Sequence, residues 1–523
     1  MERRHGPVVG DTQRDGGVEI LLKLAPVSWA LAALAAGILV AYAVPEGEDA
    51  PLKFMALVFA GCGLLWAFPF SGRRERRGLI SLFLLAFAVR VGSAVLFDSV
   101  SRSAGDPYGG SPDAWAYDQW ARRLVSAWSE LRGLNLHAHD AAGRWDVGFH
   151  YLLALFYALL GPSVLGGRVL AAFFGSAAVV FLFLVARRMA GETVGMIAGL
   201  LYAFWISSVA WSGYSVLRDP LVWALMLLAV WLSLRVVDGS MLSALGFFLV
   251  LLFLRTVRPY AATVVVIGLG LAGALALLGR SRRALRPAIL LATAVAATEA
   301  VFFVVGFPNA VNMVTAYGPK QVLLRPLKAP PGSRPSPLSL GPLAAPDEED
   351  RVGVGLLSRP LLGPSIPANA LRFFLSPPAW APVRGNIRHS DNWQLPGMWF
   401  WYAILPIAGF GLLKALAGSA SLRSLTLAGG LFISLLILVG RGDLSRQREM
   451  VVPVVLLWFA VGFLPALKRP RLLLVAYVLY AAVLSAGILY HRGTLRVRGL
   501  AVVVLPEGDI ASSGPGRRSI TAS

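Results

Sequence analysis

Long apolar runs alternate with short polar connections along most of this chain. The runs are about 15–23 residues each, close to the ~20 residues a helix needs to cross a ~30 Å hydrocarbon layer. Thirteen transmembrane helices are predicted: Ala25–Val44, Leu52–Phe70, Gly78–Phe97, Val164–Ala186, Val194–Trp211, Pro220–Leu234, Met241–Leu254, Ala261–Leu278, Pro287–Phe307, Met398–Leu413, Leu425–Val439, Val451–Leu467 and Leu472–Tyr490. A transmembrane β-barrel would show short alternating segments instead of continuous runs. The expected fold class is therefore an all-α polytopic membrane protein.

Basic clusters set the expected orientation. Arg73, Arg74, Arg76 and Arg77 lie between the second and third spans, Arg187 and Arg188 follow the fourth, and Arg280, Arg282, Arg283 and Arg286 separate the eighth from the ninth. Lys468, Arg469 and Arg471 separate the last two. All four clusters share one side if the N-terminal segment 1–24 is cytoplasmic. Phe149–Leu160 is apolar but too short to span, and a crossing there would send Arg187 and Arg188 outside. It is expected as a helix at the outer interface.

Domain organisation follows. Three helices occupy 25–97, a first large exoplasmic loop 98–163, helices four to nine 164–307, a second large exoplasmic loop 308–397, helices ten to thirteen 398–490, and a basic tail 491–523. Within the second loop, Ala329–Pro367 is rich in Pro and Gly and reads as a lid or linker.

Composition sharpens this picture. The chain has 523 residues, 57% hydrophobic and 15% charged, with a mean hydropathy of +0.67. Soluble domains are roughly 45–50% apolar and about 25% charged, so an ordinary soluble enzyme is excluded. The net charge of +20 is absorbed by the one-sided basic clusters, and nucleic acid is set aside as a partner. The lone Cys62 excludes an intrachain disulfide or a cysteine metal site. Met1–Leu24 is polar and mixed in charge, and no signal peptide is expected there.

Two outer segments carry candidate chemistry. In the first loop, Gly109-Gly-Ser-Pro-Asp-Ala114 precedes an amphipathic helix expected over Trp115–Trp128, which carries Tyr117. Asp113 stands just ahead of it, as an N-cap or as a catalytic carboxylate. In the turn after the fifth span, Tyr214-Ser-Val-Leu-Arg-Asp-Pro220 places Asp219 before a proline. That carboxylate either starts the next helix or faces a substrate.

The order and sidedness of these segments resemble the GT-C superfamily of lipid-phosphate-sugar-dependent glycosyltransferases. The similarity is to its protein O-mannosyltransferase-like and lipid A aminoarabinose transferase-like branch. Pro112-Asp113-Ala114 with Tyr117 stands where that family carries an Asp, often Asp-Glu, followed by Tyr. Leu160-Gly161 and Arg168 match an interfacial helix and an Arg-led span, and Tyr214–Pro220 matches a Tyr-x-Val-Leu-Asp-Pro-like turn. The resemblance covers roughly Asp98 to Arg283. Two departures stand out: Ala114 replaces the frequent Glu, and two extra spans precede the usual first helix.

The resemblance implies an inverting glycosyltransferase of the plasma membrane. It would move a sugar from a polyprenyl-phosphate donor to a glycan, lipid or protein acceptor on the exoplasmic side. Asp113 and Asp219 would be catalytic, and a divalent ion, Mg or Mn, is left open at those carboxylates. Tyr117 and Arg218 would contact substrate. Arg255, Arg258, Arg446 and Arg448 are candidate phosphate ligands because a guanidinium makes bidentate, charge-assisted bonds to phosphate. Snorkelling at span ends is their alternative role. Glu299 and Arg90 fall within spans and are functional candidates by position, with a buried structural ion pair as the equal alternative. Two other classes stay open: a polysaccharide polymerase or ligase, for which His389 and Asp391 would matter, and a lipid-linked-sugar flippase or transporter.

Overall fold

A computed structural model describes residues 73–109, 111–129, 148–278, 289–301, 390–419 and 448–482, with scattered positions at 422–434 and at 485. Every regular element among these residues is a helix. In chain order they are α1 Arg73–Ser103, α2 Pro112–Ser129, α3 Gly148–Leu160, α4 Val164–Ala190, α5 Glu192–Ala203, α6 Ile206–Tyr214, α7 Asp219–Val237, α8 Met241–Val257 and α9 Pro259–Leu278. Next come α10 Ile289–Val301, α11 Ser390–Leu416, α12 Val452–Leu467 and α13 Pro470–Ala482. The expected spans Ala25–Val44 and Leu52–Phe70, and the tail after Tyr490, lie outside the described residues.

Among the described residues, four helices are long and apolar enough to cross a membrane: α1, α4, α7 and α11. The bent pair α5 and α6 makes a fifth if it counts as one span. The outward faces agree with a lipid surrounding. On α8, Met241, Leu245 and Leu249 recur every four residues and are each more than half exposed. An apolar stripe facing outward suits hydrocarbon as its solvent, whereas a water-soluble helix turns that stripe inward. In the second unit of the chain, α13 likewise exposes Leu474, Val478 and Leu479.

Local sequence explains the helix limits. Ser163 caps α4, accepting from Gly166 N–H at 3.1 Å, and Gly191 ends it at φ 96°, a conformation glycine adopts without penalty. Pro220 sits in the first turn of α7, where its missing N–H costs nothing. Ser240 caps α8, accepting from Ser243 N–H at 3.4 Å.

Two expectations need correcting at the boundaries. The third span does not stop at Phe97. It continues as a 31-residue helix to Ser103, because Asp98 accepts hydrogen bonds there from Arg102 Nε at 2.7 Å and from Arg168 Nη1 at 2.5 Å. The helix expected from Met398 begins at Ser390, so the second loop is shorter at that end.

The expected single span Val194–Trp211 is broken. Its halves meet at 48° across Phe204 and Trp205. Neither residue is a helix breaker, and the cause lies on α1. The fully buried Arg90 donates to Tyr202 O and Ala203 O, each at 3.1 Å, and to Ser208 Oγ at 3.0 Å. The last carbonyls of a helix have no partner within it, and in hydrocarbon no water replaces one. Arg90 supplies those donors, so the break is satisfied by a side chain from another helix. From α11, the Trp401 ring lies 6.1 Å from that of Trp205.

The core is densely helical around α4, which packs on α1, α5, α6 and α7. At one face Arg188 in the last turn of α4 pairs with Asp238 just after α7, so these two helices end together. Their other ends meet the polar loops. Further along, α11 and α12 cross at glycines: a side chain on Gly411 would fall on Trp458 O, and one on Gly462 would come within 2.6 Å of Ile407 O. Small residues at such crossings are what lets membrane helices approach closely.

Candidate functional site

At the end of the bundle opposite the Arg188–Asp238 pair, the two segments expected on the outer side come together. Tyr214 donates its phenol to Gly109 O. Ser215 Oγ donates to Tyr108 O at 3.1 Å. Gly109 holds φ 62°, and a Cβ there would press on Tyr214 at 3.3 Å, so glycine serves both the turn and the contact. A turn after α6 is thus stitched to the loop after α1 across more than a hundred residues of sequence.

The helix after that loop starts earlier than expected. Pro112 opens α2, and its cap is Ser111, whose Oγ accepts from Ala114 N–H at 3.3 Å while Ser111 O accepts from Trp115 N–H at 3.2 Å. Asp113 is therefore not the N-cap. It occupies the first turn, partly exposed, where a carboxylate is favoured by the helix dipole. Tyr117 follows four residues later on the same face and is buried. Its ring makes edge contacts, each at 5.1 Å, with Phe149 and His150 of α3.

The second segment delivers cations to this spot. The Arg218 guanidinium lies 5.7 Å from the Tyr117 ring centre, and its Nη1 donates to Val257 O at 3.2 Å. Asp219 is fully buried in the first turn of α7 and forms an ion pair with Arg258, itself almost buried. The Arg258 guanidinium also sits 5.0 Å from the Tyr260 ring centre. Arg258, expected at a phosphate, is thus engaged by the other expected catalytic carboxylate. A guanidinium against Asp219 repels a dication at that carboxylate. No group of three or more His, Cys, Asp or Glu able to hold a metal occurs among the described residues.

The remaining candidates are distributed elsewhere. Arg255 turns to Glu299 at 3.5 Å and to Pro259 O at 3.3 Å, so the carboxylate within the ninth expected span has this arginine as a partner. Arg448 is buried, with its guanidinium 5.5 Å from the Trp401 ring centre, and the adjacent Glu449 accepts from Ser207 Oγ at 2.6 Å. His389 and Arg446 lie outside the described residues. Asp391 falls in the first turn of α11, and its side chain is outside them too. The segment Ala329–Pro367 is outside as well.

Sequence reasoning missed the polar centre that holds α2 in place. Asp118, fully buried, accepts from Tyr157 Oη at 2.6 Å, Tyr108 Oη at 2.7 Å and Arg122 Nε at 2.7 Å. Burial pushes the Tyr108 phenol up to about 12, and the hydrogen bond to Asp118 adds to the shift. Tyr157 is raised well above the ordinary range for the same reasons. Both phenols therefore stay protonated and keep donating. Only the Asp118–Arg122 spacing of four was visible in the sequence. His150, against Tyr117, carried no signal beyond its place in the short apolar helix.

No protein-family model matches the chain, and no curated protein does.

Proposed function

We propose that this protein is an inverting glycosyltransferase that takes a sugar from a polyprenyl-phosphate donor and passes it to an acceptor hydroxyl on the exoplasmic face. The observation that carries this reading is the meeting of the two outer segments. The Asp113 turn and the Arg218–Asp219 turn share one pole of the bundle, with Tyr117 touching Arg218 one helical turn from Asp113. A partly exposed carboxylate and a cation on one aromatic ring suit an acceptor hydroxyl beside a leaving phosphate.

In the reaction, Asp113 accepts the proton of the acceptor hydroxyl as its oxygen attacks the anomeric carbon from the face opposite the phosphate. The new glycosidic C–O bond forms while the anomeric C–O bond to phosphate breaks, and the polyprenyl phosphate leaves. Arg218 stabilises the charge growing on that phosphate, the kind of electrostatic term that is usually largest in such steps. The buried Asp219–Arg258 pair fixes the start of α7 beneath it. A lipid donor accounts for a catalyst built almost wholly of membrane helices, since its phosphate lies at the interface. Thirteen spans, a plasma-membrane location and this sidedness belong to the same proposal.

The test is Asp113→Asn. Ser111 supplies the cap, so the helix keeps its start, while an amide cannot take the proton. Transfer from a polyprenyl-phosphate sugar should be lost with thermal stability unchanged. Activity within a few fold of the parent refutes the assignment.

One observation favours the rival transporter reading. A helix pair bent beside a buried arginine resembles the interrupted helices of transporters, whose polar groups sit at mid-membrane. A transporter would move lipid-linked sugar across vesicles with Asp113→Asn intact, and this separates the two readings.

A further inference from the structure

Tyr108 contributes no atom to the proposed reaction, yet it is bonded to both parts of the site. Its carbonyl accepts from Ser215 Oγ at 3.1 Å, in the turn that presents Arg218. Its phenol donates to Asp118 Oδ2 at 2.7 Å, on the helix that presents Asp113. Gln119 Nε2 adds a longer bond to the same phenol oxygen, at 3.4 Å. One residue thus runs from the Arg218 turn to α2.

The backbone end of this strut is firmly held. Tyr108 N–H donates to Asp106 Oδ1 at 3.0 Å, and Asp106 N–H donates to Ser101 O at 3.0 Å in the last turn of α1. The preceding carbonyl, Pro107 O, accepts from the fully buried Arg168 of α4 at 2.8 Å. At the other end Asp118 is fully buried, so the groups that reach its carboxylate set how α2 is rolled about its own axis. Asp113 stands about 140° around the same helix from Asp118, at 3.6 residues per turn, and the two carboxylates turn together. A side-chain end lies about 5–6 Å from a helix axis, so a roll of about 15° carries the Asp113 carboxylate about 1.5 Å. A misplacement near 1 Å can cost about a hundredfold in rate.

Tyr157 offers an internal comparison. Its phenol donates to the other oxygen of Asp118 at 2.6 Å, but it comes from α3 and not from the loop stitched to the Arg218 turn.

We infer that Tyr108 is a positioning residue for the transfer, the strut that registers the Asp113 carboxylate against the Arg218 guanidinium. The inference rests on the transferase reading, in which Asp113 takes the proton and Arg218 faces the phosphate.

Tyr108→Phe and Tyr157→Phe each take one phenol from Asp118 and keep the ring, and two measurements on the full chain in nanodiscs compare them. Amide hydrogen exchange reads the strut without activity. Exchange across α2 should quicken in both variants, and across 215–218 in Tyr108→Phe alone. Transfer from a polyprenyl-phosphate sugar reads the consequence. In Tyr108→Phe, kcat should fall about tenfold or more with the donor KM within about twofold. In Tyr157→Phe the fall should be smaller by at least about threefold. Matched losses in the two variants, as a merely structural role requires, overturn the inference. So does unchanged exchange at 215–218 in Tyr108→Phe, or a raised KM with kcat intact. A parent that transfers no sugar takes the positioning role down with the transferase reading, whereas a parent that transfers while Tyr108→Phe does so equally well overturns the positioning role alone.

Discussion

Removing one partner of the Asp219–Arg258 pair should cost far more than removing both. Asp219 is fully buried, and the Arg258 side chain is only 9% exposed. Breaking such a pair leaves an uncompensated charge in a low-dielectric site and typically costs about 3–5 kcal/mol. Asp219→Asn keeps the size and the acceptor oxygen but strands the guanidinium. Arg258→Met keeps the apolar stem and strands the carboxylate. The double variant strands neither, and apolar replacement of a buried pair is often close to neutral. Its cost should fall below either single cost, giving a coupling energy of at least about 2 kcal/mol. The assay is unfolding of the purified protein by sodium dodecyl sulfate in mixed micelles, with all three variants measured against the parent. Additive effects, or singles each costing under about 1 kcal/mol, would refute the buried pair. A stable double variant that still transfers sugar would further assign Asp219 to structure and leave Asp113 as the carboxylate that reacts.

Three shorter predictions follow from other parts of the molecule. The Tyr108 phenol is raised to about 12 in the folded chain against about 10 when unfolded, so its contribution to stability is complete below pH 10 and is lost as pH rises toward 12; Tyr108→Phe should flatten that part of the pH–stability curve, and an unchanged slope would count against the Asp118 centre. In a Cys62→Ala background, a cysteine replacing Ser103 should label with an impermeant maleimide from outside intact cells and one replacing Glu192 should not, with the reverse pattern inverting the topology. Gly411→Val should force α11 from α12 and destabilise the protein by more than 1 kcal/mol, as overpacking does, while Gly409→Val, with open space around its Cβ position, should have little effect in the same assay.

What was legible in the sequence was whatever a local pattern encodes. The short helix expected over Phe149–Leu160 appears as Gly148–Leu160, and the Asp219-Pro220 helix start is where the proline puts it. The cap at Ser111 was equally legible, since Ser before Pro at the first helical position is a standard helix start. The break at Phe204–Trp205 was not legible. No glycine or proline marks it, and its cause is an arginine more than a hundred residues upstream. Asp118 was hidden similarly: its phenol partners come from ten residues before it on the preceding loop and from 39 residues after it on α3. A charged residue within a span tells the reader that a partner exists but not which one.

The clasp of Arg90 on Tyr202 O and Ala203 O bears on how the protein is made. The guanidinium leaves the ribosome 112 residues before Tyr202, the first of the two α5 carbonyls it clasps. At about 5–20 residues per second, that interval is roughly 6–22 s. During it, α1 holds a cation near mid-depth whose insertion is penalised by about 2.5–3.5 kcal/mol on the translocon scale. Nascent α1 is therefore a poor membrane resident until α5 emerges and breaks against it. Stable lateral release of the early helices is thus coupled to synthesis of the later ones, and truncation just before Tyr202 should leave α1 more readily extracted from the bilayer than truncation after Tyr214.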